Sequence, residues 1–219
     1  MARRATELTE QLEDYVRPFS YRDDPALARI RSNTDAMAEA GMQVSPELGE
    51  LLGIFVRLTG GRRVLEVGSF TGYSGACMAR ALSPGGRLVC FEKSEAYLKI
   101  AREHWELAGV AERIETRVGE ALTTLAAAAA AEPGTYDLAF IDADKENAEA
   151  YVALSLTLLR PGGLVLVDNA FRSGQLADEA NQSPGCVAMR NLLASLNVDE
   201  RVDFTVLMLG DGVMMARKR

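Results

Sequence analysis

The stretch VLEVGSFTGYS, Val64 to Ser74, decides the fold. Four residues of strand-forming character run into a turn bracketed by Gly68 and Gly72, and helix formers follow. A buried strand, a glycine turn and a helix are the opening unit of an α/β sheet, and the turn is where such sheets bind ligands. Glycine lets the backbone bend sharply there and approach a ligand closely. The dinucleotide fingerprint G-x-G-x-x-G is absent, because Gly68-Ser-Phe-Thr-Gly72 lacks the middle glycine. Glu66, near the strand end, is a poor neighbour for a phosphate and suits a cationic ligand.

The same programme continues on both sides. After this unit come the strand-like runs RLVCFE, RIETRVG, YDLAFID and LVLVD. Between them lie the helical segments SEAYLKIAREHWELAG, EALTTLAAAAAAE and NAEAYVALSLTLLR. Gly109, Pro133-Gly134 and PGG at 161–163 close those helices. Five strands alternating with helices predict a parallel sheet covered on both faces. SPGCVAMRNLLASL reads as one more helix. The last segment, RVDFTVLMLGDGVMMARKR, has two strand-like runs around GDG, a hairpin signal that adds antiparallel pairing at the sheet's end. Upstream, ELTEQLEDYVRPF and DDPALARIRSNTDAMAEAG have helical spacing, punctuated by Pro18 and Gly41. SPELGELLGIFVRLTGG reads as a helix with Ser45 as N-cap and Pro46 in its first turn. No linker or repeat divides the 219 residues, so one domain over 1–219 is expected, with the helices of 1–59 as a cofactor lid or a dimer surface.

Composition narrows the chemistry. The formal charge of −7 argues against nucleic acid as the main partner, since neutralising phosphates needs a basic surface. There is no apolar run of membrane-spanning length and no signal-peptide pattern, so a cytoplasmic protein without membrane contact is expected. Cys77, Cys90 and Cys186 are scattered and read as reduced thiols. A single histidine, His104, leaves little room for a Ser-His-Asp triad or a multi-histidine metal site.

Two sets of residues carry a function. Glu92 closes the second strand about twenty residues past the glycine turn, where an acid accepts both ribose hydroxyls. Acidic groups, a glycine turn and no phosphate cradle fit S-adenosylmethionine, which has a ribose, an ammonium and a sulfonium but no phosphate. Residue by residue, a tight turn with a solvated glutamate reads the same; the set together favours the ligand. The second set lies at two strand ends. Asp142 closes YDLAFID, and Asp168 with Asn169 closes LVLVDN. If those strands are neighbours, two carboxylates and an amide oxygen form a hard donor set, suited to Mg²⁺ or another divalent cation such as Mn²⁺ or Ca²⁺. Lys145, three residues past Asp142, could have its pKa lowered by such a cation and accept a proton. A turn or helix cap at Asp168-Asn169 and a solvated Lys145 are the plainer alternatives.

Taken together, VLEVGSFTGYS, GEAL, FIDADKENAEAY, LRPGGLVLVDN and DGVMMARK, in this order, resemble the cation-dependent O-methyltransferases, which include catechol and caffeoyl-CoA O-methyltransferases. The resemblance runs from about Gln43 to the C-terminus. It implies a Rossmann-like class I methyltransferase fold, a seven-stranded mostly parallel sheet with an antiparallel C-terminal strand, helices on both faces and extra N-terminal helices. It implies that Glu66 and Gly68 hold the methionine region with Ser74 nearby, and that Glu92 takes the ribose. Gly119 and Ala121 would lie at the adenine, Met42 and Val44 would cover the cofactor, and Asp144 would touch the methionine ammonium. Asp142, Asp168 and Asn169 would bind the metal, with Lys145 as base. The acceptor would be a small phenolic molecule, chelated through vicinal oxygens, and the protein a homodimer.

Relatives often continue the Asp-Asn pair as TLWSG, whereas here the residues are Ala170-Phe171-Arg172-Ser173-Gly174. Either an aromatic wall is lost, or Phe171 replaces it, and Arg172 is an exposed residue or a cationic rim favouring acidic substrates. Arg201 lies near a position that touches substrate in some plant relatives. Trp105 is expected in ordinary packing or over the adenine. The competing readings are the same fold acting on a caffeoyl-CoA-type thioester or a flavonoid, an NAD-dependent oxidoreductase, and a non-catalytic S-adenosylmethionine binder.

Overall fold

The computed structural model describes residues 6, 8–22 and 24–219. Glu7 and Asp23, which begin the two N-terminal helical readings, fall outside the described residues. Among the described residues there are eight α-helices and seven strands in one sheet. The strands are β1 Arg63–Val67, β2 Arg87–Glu92, β3 Ile114–Val118, β4 Tyr136–Ile141, β5 Leu159–Val167, β6 Val202–Leu207 and β7 Val213–Lys218. Their spatial order is β3-β2-β1-β4-β5-β7-β6. The first five are parallel, and β7 runs antiparallel between β5 and β6. This is the Rossmann-like class I methyltransferase architecture, with the hairpin across GDG closing one edge.

The helices are α1 Glu10–Ser20, α2 Pro25–Asp35, α3 Pro46–Leu58, α4 Tyr73–Ala81, α5 Glu95–Leu107, α6 Ala121–Ala131, α7 Ala148–Leu158 and α8 Pro184–Val198. Side chains alternate across the strands, and each face has its own core. Leu65, Val67, Ala139 and Ile141 pack with Leu125 of α6, Tyr151 of α7 and Met189 of α8. Val64, Leu138 and Phe140 pack on the other face with Leu52 of α3, Met78 of α4 and Leu98 of α5. β4 is buried along its whole length, which is why, past Asp137, its sequence is the apolar run LAFI rather than an alternation.

Three local expectations are corrected. The helix expected over 23–41 ends at Asp35, after the weak helix formers Ser32, Asn33 and Thr34, and a short 3₁₀ turn at Ala40–Met42 follows. Pro18 lies inside α1, in its last turn, rather than ending it. Strand β5 starts at Leu159, five residues before the apolar run LVLV. Tyr136 pairs with Leu159, and an irregularity precedes the pairing of Leu138 with Leu164. Arg160 anchors this early segment through Asp137, Nε to Oδ1 at 2.7 Å. Glycine at 163 avoids a tight fit, because a Cβ there would lie 3.0 Å from the Arg160 carbonyl and 3.1 Å from that of Asp137.

Candidate active site

The strand order reverses between β1 and β4, so their following loops part and leave a crevice over the carboxyl ends of the strands. A cavity of about 580 Å³ lies there. Its wall includes the glycine turn, the ends of β2, β4 and β5, and the segment 41–44.

Gly68 makes the crevice possible. Its φ is +85°, and a Cβ there would stand 2.4 Å from the Asp142 carbonyl oxygen. The backbones leaving β1 and β4 could not come this close with any side chain between them. The rest of the turn is braced from behind. Trp105 Nε1 donates to the Gly72 carbonyl at 2.9 Å. His104 Nδ1 lies 2.8 Å from the Thr71 carbonyl, which only accepts, so Nδ1 carries the proton. His104 Nε2 then accepts from Asn33 Nδ2 of α2 at 3.2 Å, and Thr34 bonds Thr71, hydroxyl to hydroxyl, at 2.8 Å. From the front, Glu92 Oε2 accepts the backbone N–H groups of Ser69 and Phe70 at 3.0 and 3.2 Å, while Oε1 accepts that of Ser94 at 2.9 Å.

The cavity wall contains Met42, Val44, Gly68, Ser74, Glu92, Ala121, Asp142, Asp144, Lys145, Asp168 and Asn169. Glu66 and Gly119 are not part of it. Glu66 stops short of the strand's end, so its side chain enters the sheet face beneath α4 and is fully buried. There it accepts from the Ser74 hydroxyl and from the Cys90 thiol. Burial pushes its carboxyl up to about 7; the two donors oppose this, and the charges of Asp142 and Glu92 add to it. Glu66 therefore does not face the cavity, and of the two only Ser74, its hydrogen-bond donor, lines the wall. Gly119, at φ +138°, shapes the turn into α6, and its N–H donates to the Glu92 carbonyl at 3.1 Å.

On the acceptor side, Ile141 pairs with Val167, so Asp142 and Asp168 leave adjacent strands side by side. The Asp168 N–H donates to the Ile141 carbonyl at 3.0 Å. Lys145 is buried, with Nζ 3.0 Å from Asp142 Oδ1. Burial and the neighbouring Asp142 charge push the Asp168 carboxyl up to about 6, against the Asn169 N–H and the Lys145 charge. Asn169 has φ +57°, and its N–H donates to Asp168 Oδ1 at 2.7 Å. Among the described residues no group of three or more His, Cys, Asp and Glu side chains could hold a metal ion. The oxygen set here is two carboxylates and one carboxamide. Asp144 accepts from the Tyr151 hydroxyl at 2.6 Å and from Asn147 Nδ2 at 2.5 Å.

Several wall residues had no role in the sequence reading. Phe70, at φ +45°, meets Tyr97 edge to face with ring centroids 4.8 Å apart. Asp211, from the GDG turn, reaches the same wall, and its Oδ1 accepts the Ser173 N–H at 2.7 Å. An aromatic inside a glycine turn was the available signal for Phe70; for Asp211 there was none short of the folded hairpin. Phe171 does not replace the missing aromatic wall. It packs behind Gly212, where a Cβ would be 2.7 Å from its ring, and Arg172 takes the place on the wall. Trp105 is core, not an adenine cover. Arg201 pairs with Asp199 at 2.6 Å, away from the cavity wall.

Residues 18–219 match the O-methyltransferase family, and the chain belongs to it. Over 219 aligned residues it is 34% identical to the catechol O-methyltransferase of Niastella koreensis, covering 96% of this chain and 97% of that one. It is 39% identical over 170 residues to the catechol O-methyltransferase of Mycobacterium tuberculosis, covering 78% and 76%. Its fold is similar to the O-methyltransferase TomG from Streptomyces achromogenes in complex with SAM, at a TM-score of 0.84 and 32% identity over 95% of this chain and 96% of the other. The protein is an S-adenosylmethionine-dependent O-methyltransferase.

Proposed function

We propose that this enzyme methylates one hydroxyl of a vicinal dihydroxy phenol and uses a divalent cation, Mg²⁺ or a similar ion, to do so. The observation that carries the reading is the convergence of Asp142, Asp168, Asn169 and Lys145 at the ends of two adjacent strands, in the cavity that also holds the glycine turn. The donor set fits a hard cation. Two neighbouring carboxylates, one of them buried, repel each other, and a cation between them removes that repulsion. When bound, the cation would supply chelation of two adjacent oxygens and a more acidic hydroxyl. Lys145 Nζ is placed to take the hydroxyl proton, and Asp142 orients it. Glu92, Phe70 and Tyr97 line the cofactor end, and Met42 and Val44 cover it from the N-terminal side. The new oxygen–carbon bond forms as the carbon–sulfur bond breaks, with the electron pair leaving on sulfur, so opposite charges cancel and positioning dominates the rate.

A homodimer is part of the same reading. Tyr15 and Phe19 of α1 are 71% and 78% exposed, and Leu58 of α3 is 74% exposed; these apolar side chains suit a second copy. Among the described residues no helix is long and apolar enough to cross a membrane.

The test is a mass-spectrometric assay for S-adenosylhomocysteine and methylated product. It uses catechols, caffeoyl thioesters and flavonoids, with Mg²⁺ or with EDTA. Product with Mg²⁺ and none with EDTA is expected. Equal product under both conditions would refute the metal role of Asp142, Asp168 and Asn169.

A further inference from the structure

The loop after β5 holds a cation that makes no ion pair among the described residues. Arg172 lines the acceptor side of the cavity. Its Nε is buried and without a hydrogen-bond partner, and among the described residues the guanidinium makes no ion pair. Glu146 and Arg172 flank Gly185, at 3.6 and 3.5 Å from where its Cβ would stand, yet they do not form an ion pair. A partly buried, unpaired arginine is costly, and so is its backbone: Arg172 and Ser173 both stand in the left-handed region, at φ +51° and +53°. Such features persist where a ligand uses them.

Resting on the vicinal-diol reading above, we propose that Arg172 makes this enzyme selective for acceptors that carry a carboxylate, such as a dihydroxybenzoate or a dihydroxycinnamate. The position sets the distance. The Arg172 N–H donates to the Asn169 carbonyl at 3.3 Å, so a single β-turn separates the arginine from the diol-binding end of β5. Arg172 and the diol-binding residues line one cavity, so an anion that the arginine meets can belong to the acceptor itself. The planar fork of a guanidinium matches a carboxylate with two parallel hydrogen bonds, which a lysine cannot copy.

The experiment compares kcat/KM for 3,4-dihydroxybenzoate, its methyl ester, and the CoA thioester of the dihydroxycinnamate. It uses the wild type, Arg172→Gln and Arg172→Lys, each checked for S-adenosylhomocysteine binding by calorimetry. The wild type is expected to prefer the acid over the ester by roughly 10- to 100-fold, mainly through KM. The preference should collapse in R172Q and survive in part in R172K. Equal use of acid and ester by the wild type overturns the selectivity while leaving the diol reading intact. A thioester that outperforms the free acid, with the gain lost in R172Q, overturns it in favour of phosphate recognition. No transfer to any acceptor overturns the diol reading, and this inference with it.

Discussion

The loops that follow β1 and β5 meet at the same cavity and are built in opposite ways. In the first, Ser69 and Thr71 are buried, and two of the three positive φ angles fall on glycines, Gly68 and Gly72, with Phe70 the exception at +45°. Its carbonyls and N–H groups are taken up by Trp105, His104 and Glu92. In the second, the positive φ angles fall on Asn169, Arg172 and Ser173, which carry side chains, and a buried guanidinium nitrogen is left without a partner. The first loop keeps one side chain at positive φ, Phe70, and one buried hydroxyl without a partner, Ser69 Oγ; the second keeps three such residues and the Arg172 Nε. The cofactor side meets the same molecule in every turnover and can be rigid. On the proposed reading, the side that takes the acceptor bears the features by which one acceptor is told from another.

The sharpest way to break this contrast is at the start of the second loop. Asp168→Ala should lower methyl transfer on the order of 10²–10³-fold while S-adenosylmethionine binding, measured by calorimetry, is retained. A parallel loss of cofactor affinity would show that the two sides are one site.

Beneath the first loop, Glu66 sets a pH signature. Folded, its carboxyl keeps a proton up to about pH 7, whereas its ordinary value is 4.5. The native state therefore binds the extra proton between these values, and stability falls as pH rises from 4.5 to about 7, levelling above. Glu66→Gln should remove that slope, gaining roughly 3 kcal/mol over wild type at pH 8 and nothing at pH 4. Urea midpoints across that range measure it, and a constant offset would mean that folding does not shift the Glu66 carboxyl.

Two smaller changes should have opposite signs. Trp105→Phe deletes the bond to the Gly72 carbonyl, and the first loop should lose about 1 kcal/mol. Ser173→Gly relaxes a left-handed residue, and the second loop should gain about 1 kcal/mol. Thermal unfolding of both variants distinguishes them; equal signs would erase the contrast.

These differences also mark what a sequence displays. Strands β1, β2, β4 and the inner part of β5 are buried on both faces and print as apolar runs, so the alternation was legible. Asp142 and Asp168 were legible because each ends such a run. The early start of β5 was not, because Pro161, Gly162 and Gly163 are turn signals that the Arg160–Asp137 contact overrides. Nor was the direction of Glu66 legible: a carboxylate near a strand end looks alike whether it faces a ligand or a serine. The bracing by His104 and Trp105 joins residues 33 positions apart and leaves no local trace.

The chain's one histidine gives the N-terminal segment a meaning beyond shape. Through His104 to Asn33, and through Thr71 to Thr34, helix α2 and the glycine turn share bonds that neither can keep if the other opens. Their opening is expected to be coupled, so that a molecule seated on the turn should slow hydrogen exchange in a helix that does not line the cavity. Adding S-adenosylmethionine is therefore expected to raise the amide protection of residues 25–35, and hydrogen exchange with and without it checks this.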